Sequence, residues 1–476
     1  MVFSSELFIF GFLPFFFASY YLVPKQWKNI HILLASLLFY SWGAPKFIFF
    51  ITLSTCFDYF LSIKIYRSNP TTQKRLVALS ILTNLSILAY MKYANFFIEE
   101  ANHLFALLGT EAISWVNITL PIGISFIIFQ KISYIIDVKR GEVFPSKSII
   151  DFMLYIFMFP QLIAGPIVRY HDIEEQIRTR LFRYQDFYNG FFRFCIGLAK
   201  KILLADSLGG VADSIFSLNA DAMTTTYAWL GIFCYTFQIY FDFSAYSDMA
   251  IGLARMMGFQ LLENFNWPYT SKNITEFWAR WHISLSRWMK EYLYIPLGGN
   301  RKGRLRSHIN LWIVFLLSGL WHGANWTFLA WGAYHGFFLT LDKLFLDKKH
   351  FWKIHESIKV MITFLIIMMG WVLFRSDTIQ DALQYYGYLF GTVNFSHSSK
   401  MWSDILSNRT LFLLFLCGIS FFIGSRPIRA WSMIMHQNLP AAPLVITKVL
   451  TGIFLFFLSL AALCNSSFHP FLYFRF

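Results

Sequence analysis

Two histidines stand in unusually apolar and aromatic surroundings. His322 lies in the string LWIVFLLSGLWHGANWTFLAWGAYHGFFL, 16 residues beyond a basic cluster that ends at Arg306. If that stretch is continuous helix, a rise of ~1.5 Å per residue places the imidazole ~24 Å from the cluster. Lipid offers an ionisable group no partner. His322 is therefore either a catalytic base or a structural residue bonded to a neighbouring helix, and the residues alone leave both interpretations open.

Two further histidines compete with His322 for a chemical role. His282 lies in EFWARWHISLSRW, where Trp278, Trp281 and Trp288 surround it, and packing at a membrane interface would also explain that spacing. His335 lies nearer the far end of the apolar run and has the position of an interfacial residue.

Acidic and cationic residues supply candidates for binding. Asp242 and Asp248 lie among hydroxyl groups in FQIYFDFSAYSDMAIG, where they either line a polar cavity or link helices. The loop 296–302, PLGGNRK, exposes backbone amides beside cations. Asn300 and Arg301 could there hold the phosphates of a cytosolic donor, although attraction to a membrane surface would equally explain the charges.

The composition shows what kind of chain must position these residues. Of 476 residues, 57% are hydrophobic and 14% are charged, whereas soluble domains carry about 25% charged residues. The net charge is +14, and the basic residues lie between the apolar runs. This arrangement favours loops facing anionic lipid over binding of nucleic acid. The five cysteines are scattered without a CxxC pair, so we expect neither a disulfide framework nor a metal site.

The apolar runs predict a polytopic all-α membrane protein with about ten or eleven crossings. A phosphate loop, a GxSxG elbow and an HExxH motif are absent from the sequence. We interpret the first run as a retained span, 30–62 as a hairpin or a broken helix, and 149–164 as short or re-entrant. The runs are 7–23, 30–43, 46–62, 76–98, 113–138, 149–164, 222–254, 309–341, 358–374, 410–424 and 445–464.

Loop charges predict the sidedness of the chain. Residues 64–75 and 139–147 are basic, whereas the intervening 99–111 is acidic and has no Lys or Arg. The positive-inside rule then places the basic loops, including 301–306, in the cytoplasm. The acidic segment is expected to be a short loop on the opposite face.

Two stretches are too polar for plain spans. Residues 169–204 mix charge with helical apolar spacing and predict an amphipathic interfacial segment. Residues 263–308 are polar and rich in Trp, and they predict short helices at the cytoplasmic face. Without an internal repeat or a linker, residues 1–476 are expected to form one membrane domain.

Several strings resemble the membrane-bound O-acyltransferase superfamily, especially its bacterial alginate O-acetylation branch and also the peptidoglycan O-acetyltransferase membrane subunit. The family commonly has Gly where this chain has Ala245 and Arg where it has Ala279. Neither departure affects a family histidine. The matching region runs over most of 159–341, with a further match at 470–476. The strings are FPQLIAGPIVR (159–169), FQIYFDFSAYSDMAIGLARMMGF (237–259), FNWPYTSKNITEFWARWHISLSRWMKEYLYIPLGGNR (265–301), GLWHGANWTFLAWGAYHG (319–336) and PFLYFRF (470–476).

The resemblance implies that His322 is the active-site histidine and His282 the second functional one, both near the middle of a tunnel. It implies acetyl transfer from a cytosolic thioester, acetyl-CoA, to a hydroxyl presented from the periplasm, with no resident cofactor or metal. We expect His322, kept neutral by burial, to act as general base. His282 would either orient the donor or bond to the thioester oxygen. The candidate substrate-binding residues are Asn300, Arg301, Asp242, Trp321 and Asn325.

By the same resemblance, the partner is a periplasmic acetyltransferase like an SGNH esterase, which passes the group to an exopolysaccharide or to peptidoglycan. The location is then the bacterial inner membrane, with lipid as a further partner. Three alternatives stay open: a D-alanyl transferase, a lipid acyltransferase, and a transporter or flippase without chemistry. A transporter is expected to have two related halves, and no such repeat is visible.

Overall fold

The computed structural model describes residues 1–180, 182–345, 354–392, 406–423, 441–464 and 471–472. Every regular element in these ranges is a helix, and none is a strand. The all-α prediction is therefore confirmed. Contacts group the chain into two compact units, Met1–Gly190 with Met249–Leu262 and Phe191–Asp248 with Glu263–Phe476.

The first unit starts with a π-helical turn, Leu7–Phe12, and continues with eight α-helices. The stretch 30–62 forms two helices, because the chain leaves helical geometry at Ala44, before Pro45. The run 149–164 is likewise broken, at Met158, into two short helices. The helices are α1 Leu13–Leu22, α2 Lys28–Gly43, α3 Ile48–Arg67, α4 Pro70–Leu107, α5 Ile124–Arg140, α6 Ile149–Phe157, α7 Phe159–Leu162 and α8 Tyr170–Arg178.

Helices α4 and α5 differ from the expected segments. The Asn69 side chain caps α4 by accepting the Thr72 N–H at 2.9 Å, and the helix then runs for 38 residues. It therefore includes Glu99 and Glu100, and the expectation of a loop from 99 was wrong. The apolar run 113–138 becomes helical only at Ile124, so apolar composition alone placed its start too early.

The remaining helices carry the polar block and the second half of the chain. As predicted, 263–308 forms short helices, including a 3-10 turn at Pro268–Thr270 and a π-helical turn at Lys290–Tyr294. Another π-helical turn, Lys200–Ala205, falls within the expected amphipathic segment. The helices are α9 Tyr184–Ala199, α10 Asp206–Phe216, α11 Thr225–Met256, α12 Ile274–Arg280, α13 Ile283–Met289, α14 Arg304–His322, α15 Trp326–Phe345, α16 Glu356–Arg375, α17 Ile379–Phe390, α18 Asn408–Ile423 and α19 Ala441–Cys464.

Four helices in the described ranges are long and apolar enough to cross a membrane: α3, α4, α16 and the Val445–Cys464 part of α19. Each provides the ~20 residues that a hydrocarbon core requires. Leu7–Leu22 and Asn408–Ile419 are shorter apolar helices. These helices fit a multi-pass chain, and ten or eleven crossings stays a prediction.

The run 309–341 was expected to be one span, and that prediction was wrong. The chain forms the helix pair α14 and α15, because α14 ends at His322 and Gly323 is extended. Asn325 accepts the Thr327 N–H at 3.0 Å and so begins α15. His322 is thus the last residue of a helix rather than the middle of one.

Buried charges in the first unit are paired within the protein. Lys131 of α5 lies 3.0 Å from Asp58 of α3, and both are almost fully buried. Ser80 and Asn84 of α4 donate to the same carboxylate at 2.6 and 2.9 Å. Since an unpaired ion in apolar surroundings is strongly destabilising, this network fixes three neighbouring helices together.

We predict that Gly332→Ala destabilises the pair of α14 and α15. A Cβ at Gly332 would overlap the Phe315 carbonyl oxygen, whereas one at Gly336 would meet its nearest atom at 3.5 Å. Overpacking typically costs about 1–3 kcal/mol. The thermal midpoint of the detergent-purified Gly332→Ala variant should therefore fall clearly below that of Gly336→Ala. Equal midpoints would contradict this close backbone approach.

Candidate active site

A small cavity lies beside the end of α14. Its volume is about 20 Å³, which is room for about one water molecule. Substrates must therefore displace side chains to enter it. Nine residues line the cavity: Ile239, Asp242, Phe243, Trp281, His322, Trp331, Trp371, Phe374 and Leu472.

His322 lies on the cavity wall among aromatic rings. Its ring centroid is 4.9 Å from Trp321, 5.0 Å from Trp331 and 5.3 Å from Phe374. The side chain is 6% exposed. Since α14 is continuous from Arg304, the predicted distance of ~24 Å between His322 and the basic cluster is consistent with this geometry.

His282 occupies the turn between α12 and α13. Its φ is +45°, a left-handed conformation that is rare for a residue other than glycine, and its side chain is fully buried. The ring Nδ1 lies 3.2 Å from Asn264 Oδ1. A strained backbone at a buried histidine is typical of a functional site.

Asn264 fixes the tautomer of His282. Its Oδ1 accepts the Ser284 backbone N–H at 3.2 Å and the Ser284 hydroxyl at 2.9 Å, while its Nδ2 donates to Ser247 Oγ at 3.1 Å. A backbone N–H can only donate, so this atom of Asn264 is an acceptor. His282 Nδ1 must then carry the proton, which leaves Nε2 as an acceptor.

His282 Nε2 has no hydrogen-bond partner among the described residues. Burial lowers the pKa of His282 to about 3, because an imidazolium loses its hydration there. The ring is therefore neutral near pH 7. It offers a buried lone pair.

Two aromatic side chains connect the histidines. Phe243 packs edge-on against His282 with centroids 4.7 Å apart, and it also lines the cavity. Trp321 lies 6.1 Å from His282 and 4.9 Å from His322. His282 itself is not among the lining residues, so it stands one side chain away from the cavity.

Asp242 lines the cavity, but both of its oxygens are engaged. Lys201 Nζ donates to Oδ1 at 2.7 Å, and the Leu472 backbone N–H donates to Oδ2 at 2.8 Å. Of the string 470–476, only 471–472 falls within the described residues. Asp248 is also paired, with Arg193 and Lys200.

The candidate donor loop has a defined scaffold. Asn300 Oδ1 accepts the hydroxyls of Tyr294 at 2.5 Å and of Ser307 at 2.8 Å. Asn310 donates to the Gly299 carbonyl at 3.1 Å. Arg301 is exposed. Asn300 thus shapes the turn through its Oδ1, and both Asn300 and Arg301 are exposed to a ligand.

The other predicted residues lie around His322 rather than on the cavity wall. Trp321 is buried against both histidines. Besides capping α15, Asn325 donates to the Asp377 carbonyl at 2.7 Å. His335 is fully buried, 5.1 Å from Trp278 and 4.9 Å from Trp331 between ring centroids.

One group in the described ranges has the spacing of metal ligands, and it lies in the first unit. Asp137, Glu142 and His171 place ligand atoms within 4.8 Å of one another. His171 already lies 3.4 Å from both Asp137 and Asp172. Hydrogen bonds to these carboxylates raise the pKa of His171 to about 9. The group therefore functions first as an ion-pair network.

Comparison with known proteins identifies the class. Residues 7–376 match the model of the MBOAT, membrane-bound O-acyltransferase family. The "Probable alginate O-acetylase AlgI" of Pseudomonas putida is 41% identical over the full length of both chains. The peptidoglycan O-acetyltransferase of Helicobacter pylori is 36% identical over 86% of this chain and 83% of its own.

A more distant relative is the teichoic acid D-alanyltransferase of Bacillus subtilis, 29% identical over 54% of this chain and 69% of its own. The chain belongs to the membrane-bound O-acyltransferase family. It is a multi-pass membrane enzyme, an O-acetyltransferase. The resemblance inferred from the motifs is thereby confirmed.

Sequence reasoning missed three residues that shape this site. Lys201 pairs with Asp242, and a lysine inside the apolar string FCIGLAKKILL was a usable signal for a buried partner. Trp331 was hidden among many aromatic residues. Asn264 gave no signal, because one amide in a polar block is ordinary.

We predict that Asn264→Asp moves the acidic limb of the pH–rate profile to higher pH. The carboxylate keeps the Ser284 donors and places a negative charge beside Nδ1, which raises the pKa of His282. As the pH falls, His282 is then protonated at a higher pH than in the wild type. A limb set by a pKa of about 3 lies below pH 5 in the wild type, so acetyl transfer measured between pH 5 and 9 tests whether the limb enters this range in the variant.

Ser284→Ala is the matched control, since it removes one hydrogen bond to the same Asn264 oxygen without changing what Nδ1 meets. Its profile should keep the wild-type limb. A purely structural role for Asn264 would lower protein abundance in Asn264→Asp and leave the limb in place.

Proposed function

We propose that the enzyme transfers an acetyl group from cytosolic acetyl-CoA to a hydroxyl presented on the other side of the bacterial inner membrane, for O-acetylation of a polysaccharide. Support comes from relatives named for alginate and peptidoglycan O-acetylation. The observation that carries the proposal is His322, an imidazole on the wall of a buried aromatic cavity.

His322 is the general base in this proposal. A hydroxyl is a poor nucleophile near neutral pH, and an imidazole that takes its proton during attack accelerates the reaction by about 10²–10⁴-fold. The rings of Trp321, Trp331 and Phe374 pack around His322 and shield it from bulk water. Exclusion of water strengthens each polar interaction made there.

His282 orients the donor. Its Nε2 is an acceptor, because Nδ1 donates to Asn264, and it can therefore receive an N–H or O–H of the bound donor. The alternative, a hydrogen bond to the thioester oxygen, requires a proton on Nε2. This tautomer therefore favours the role in which His282 orients the donor.

The donor enters from the basic side. Arg301, Lys302, Arg304 and Arg306 are exposed and stand at the start of α14. A donor with several phosphates is attracted by such a cluster. The loop held by Asn300 then provides backbone amides next to the cations.

The acceptor reaches the site through a second protein. Because α4 continues to Leu107 and α5 begins at Ile124, the segment expected on the periplasmic side is limited to residues 108–123. This is too short to hold a long polysaccharide chain. We propose a periplasmic partner like an SGNH esterase, which receives the acetyl group and chooses the sugar hydroxyl.

A D-alanyl transferase is the second candidate, supported by the 29% identical Bacillus subtilis relative. It matches about half of this chain, whereas the O-acetylase relative matches all of it. A lipid acyltransferase and a transporter have no such support. We therefore propose acetyl as the transferred group.

We predict that His322→Ala abolishes polymer acetylation while the protein still accumulates in the membrane. Loss of the base should lower transfer by at least about 10²-fold. The measurement is the acetyl content of the extracellular polymer in cells that carry the variant as their only copy.

His335→Leu is the control, because His335 does not line the cavity and its ring nitrogens have no hydrogen-bond partner among the described residues. It should retain most activity. Near wild-type acetylation by an equally abundant His322→Ala protein would exclude His322 as the base.

We also predict that the purified protein with acetyl-CoA alone releases CoA slowly and leaves polysaccharide unmodified. Addition of the periplasmic partner should start polymer acetylation, since the segment 108–123 between α4 and α5 is too short to orient a sugar chain. Incorporation of radiolabelled acetyl into polymer measures this. Efficient labelling by the isolated 476-residue chain would rule out the division of labour.

A further inference from the structure

Trp331 carries an indole N–H that the fold does not use. The side chain is 1% exposed and lines the cavity with His322. Its Nε1 has no hydrogen-bond partner among the described residues. Buried donors are nearly always paired, because an unpaired one is destabilising, so this N–H requires an explanation.

Trp371 provides the contrast within the same cavity wall. Its Nε1 donates to the Tyr269 hydroxyl at 3.2 Å, and the two indoles are stacked with centroids 6.0 Å apart. The fold therefore satisfies one of these two donors and leaves the other unsatisfied. The unsatisfied one belongs to the ring that touches His322.

Acyl transfer requires a hydrogen-bond donor close to the carbonyl oxygen of the thioester. When a hydroxyl attacks a thioester, the carbonyl oxygen acquires negative charge, and a preorganised N–H close to it stabilises the transition state. His282 Nε2 cannot supply that proton while Nδ1 donates to Asn264. Trp331 lies 5.0 Å from His322 between ring centroids, so both rings can contact one reacting group.

We propose that the Trp331 indole N–H donates a hydrogen bond to the thioester oxygen as it becomes an oxyanion. This assignment rests on the proposed acetyl transfer with His322 as base. Trp331 is then a catalytic residue that touches the reacting group. It gives the aromatic part of the cavity wall a means of stabilising negative charge.

The step balances with the groups named. The acceptor oxygen forms a bond to the carbonyl carbon, its proton passes to His322, and the carbonyl π electrons move onto the oxygen that Trp331 contacts. When the intermediate collapses, the C=O bond reforms and the C–S bond breaks. The thiolate leaves with the proton from His322.

The test is Trp331→Phe, which removes the N–H and keeps an aromatic ring. With acetyl-CoA as the probe, the kcat of CoA release by the purified full chain should fall by about 10²–10³-fold. KM should change little, because the hydrogen bond strengthens only in the transition state. The thermal midpoint should not fall as it would after loss of a structural hydrogen bond.

Trp278→Phe is the matched control. Trp278 Nε1 is also buried without a partner among the described residues, but Trp278 does not line the cavity. Its kcat should stay within about threefold of wild type, since no reacting group meets it. A Trp331→Phe enzyme with wild-type kcat, or equal losses in both variants, would overturn the assignment.

Failure of this inference can be separated from failure of the proposed function. If the wild-type protein neither releases CoA from acetyl-CoA nor supports polymer acetylation, the proposed function is wrong, and if His322→Ala stays active, the assignment of His322 as the base is wrong. If His322→Ala is inactive and Trp331→Phe is active, only the oxyanion assignment is wrong. Should Trp331→Phe not accumulate, benzothienylalanine incorporated at position 331 keeps the ring shape without the N–H. A lowered kcat of CoA release would then support the oxyanion assignment, and a wild-type kcat would overturn it.

Discussion

A charge that an apolar helical protein takes into its interior must be neutralised by another part of the same chain. Asp58 with Lys131 and Asp242 with Lys201 both obey this constraint, at 3.0 and 2.7 Å. The first pair joins α3 to α5. The second fixes α11 against the π-helical turn after α9, and so makes one wall of the cavity rigid. Because an ion pair broken in such surroundings leaves a costly unpaired charge, these contacts determine helix packing more strictly than apolar contacts do.

The two histidines lie in a different environment from these acidic side chains. His282 is oriented by a neutral amide, and His322 by aromatic rings. A neutral imidazole can accept a proton and return it within one reaction cycle, whereas an imidazole paired with a carboxylate would favour the protonated form. The aromatic lining, which includes Trp331, therefore surrounds His322 with uncharged rings, while the carboxylate of the lining residue Asp242 is neutralised by Lys201.

Apolar runs and loop charges predicted the all-α class and most helices, because long runs in a chain of this composition have few alternatives. They did not predict where the chain reverses. At the end of α14, Gly323 is extended and lies close to the Phe328 ring across the turn, a geometry that apolar composition does not reveal. Family motifs predicted His322 and His282 as functional residues. They could not predict that Asn264 sets the proton on one of them, since residues 264 and 282 meet only through a left-handed turn whose geometry the sequence does not reveal.

The bond from the Leu472 backbone N–H to Asp242 has a consequence for biosynthesis. Leu472 follows His322 by 150 residues in the sequence, so this cavity wall cannot close until that later segment has been synthesised. A partly synthesised molecule in the membrane already contains the imidazole but not the complete enclosure around it. Closure of this wall thus depends on a segment made much later than the imidazole that it helps to enclose, and products truncated before residue 472 would lack the bond to Asp242.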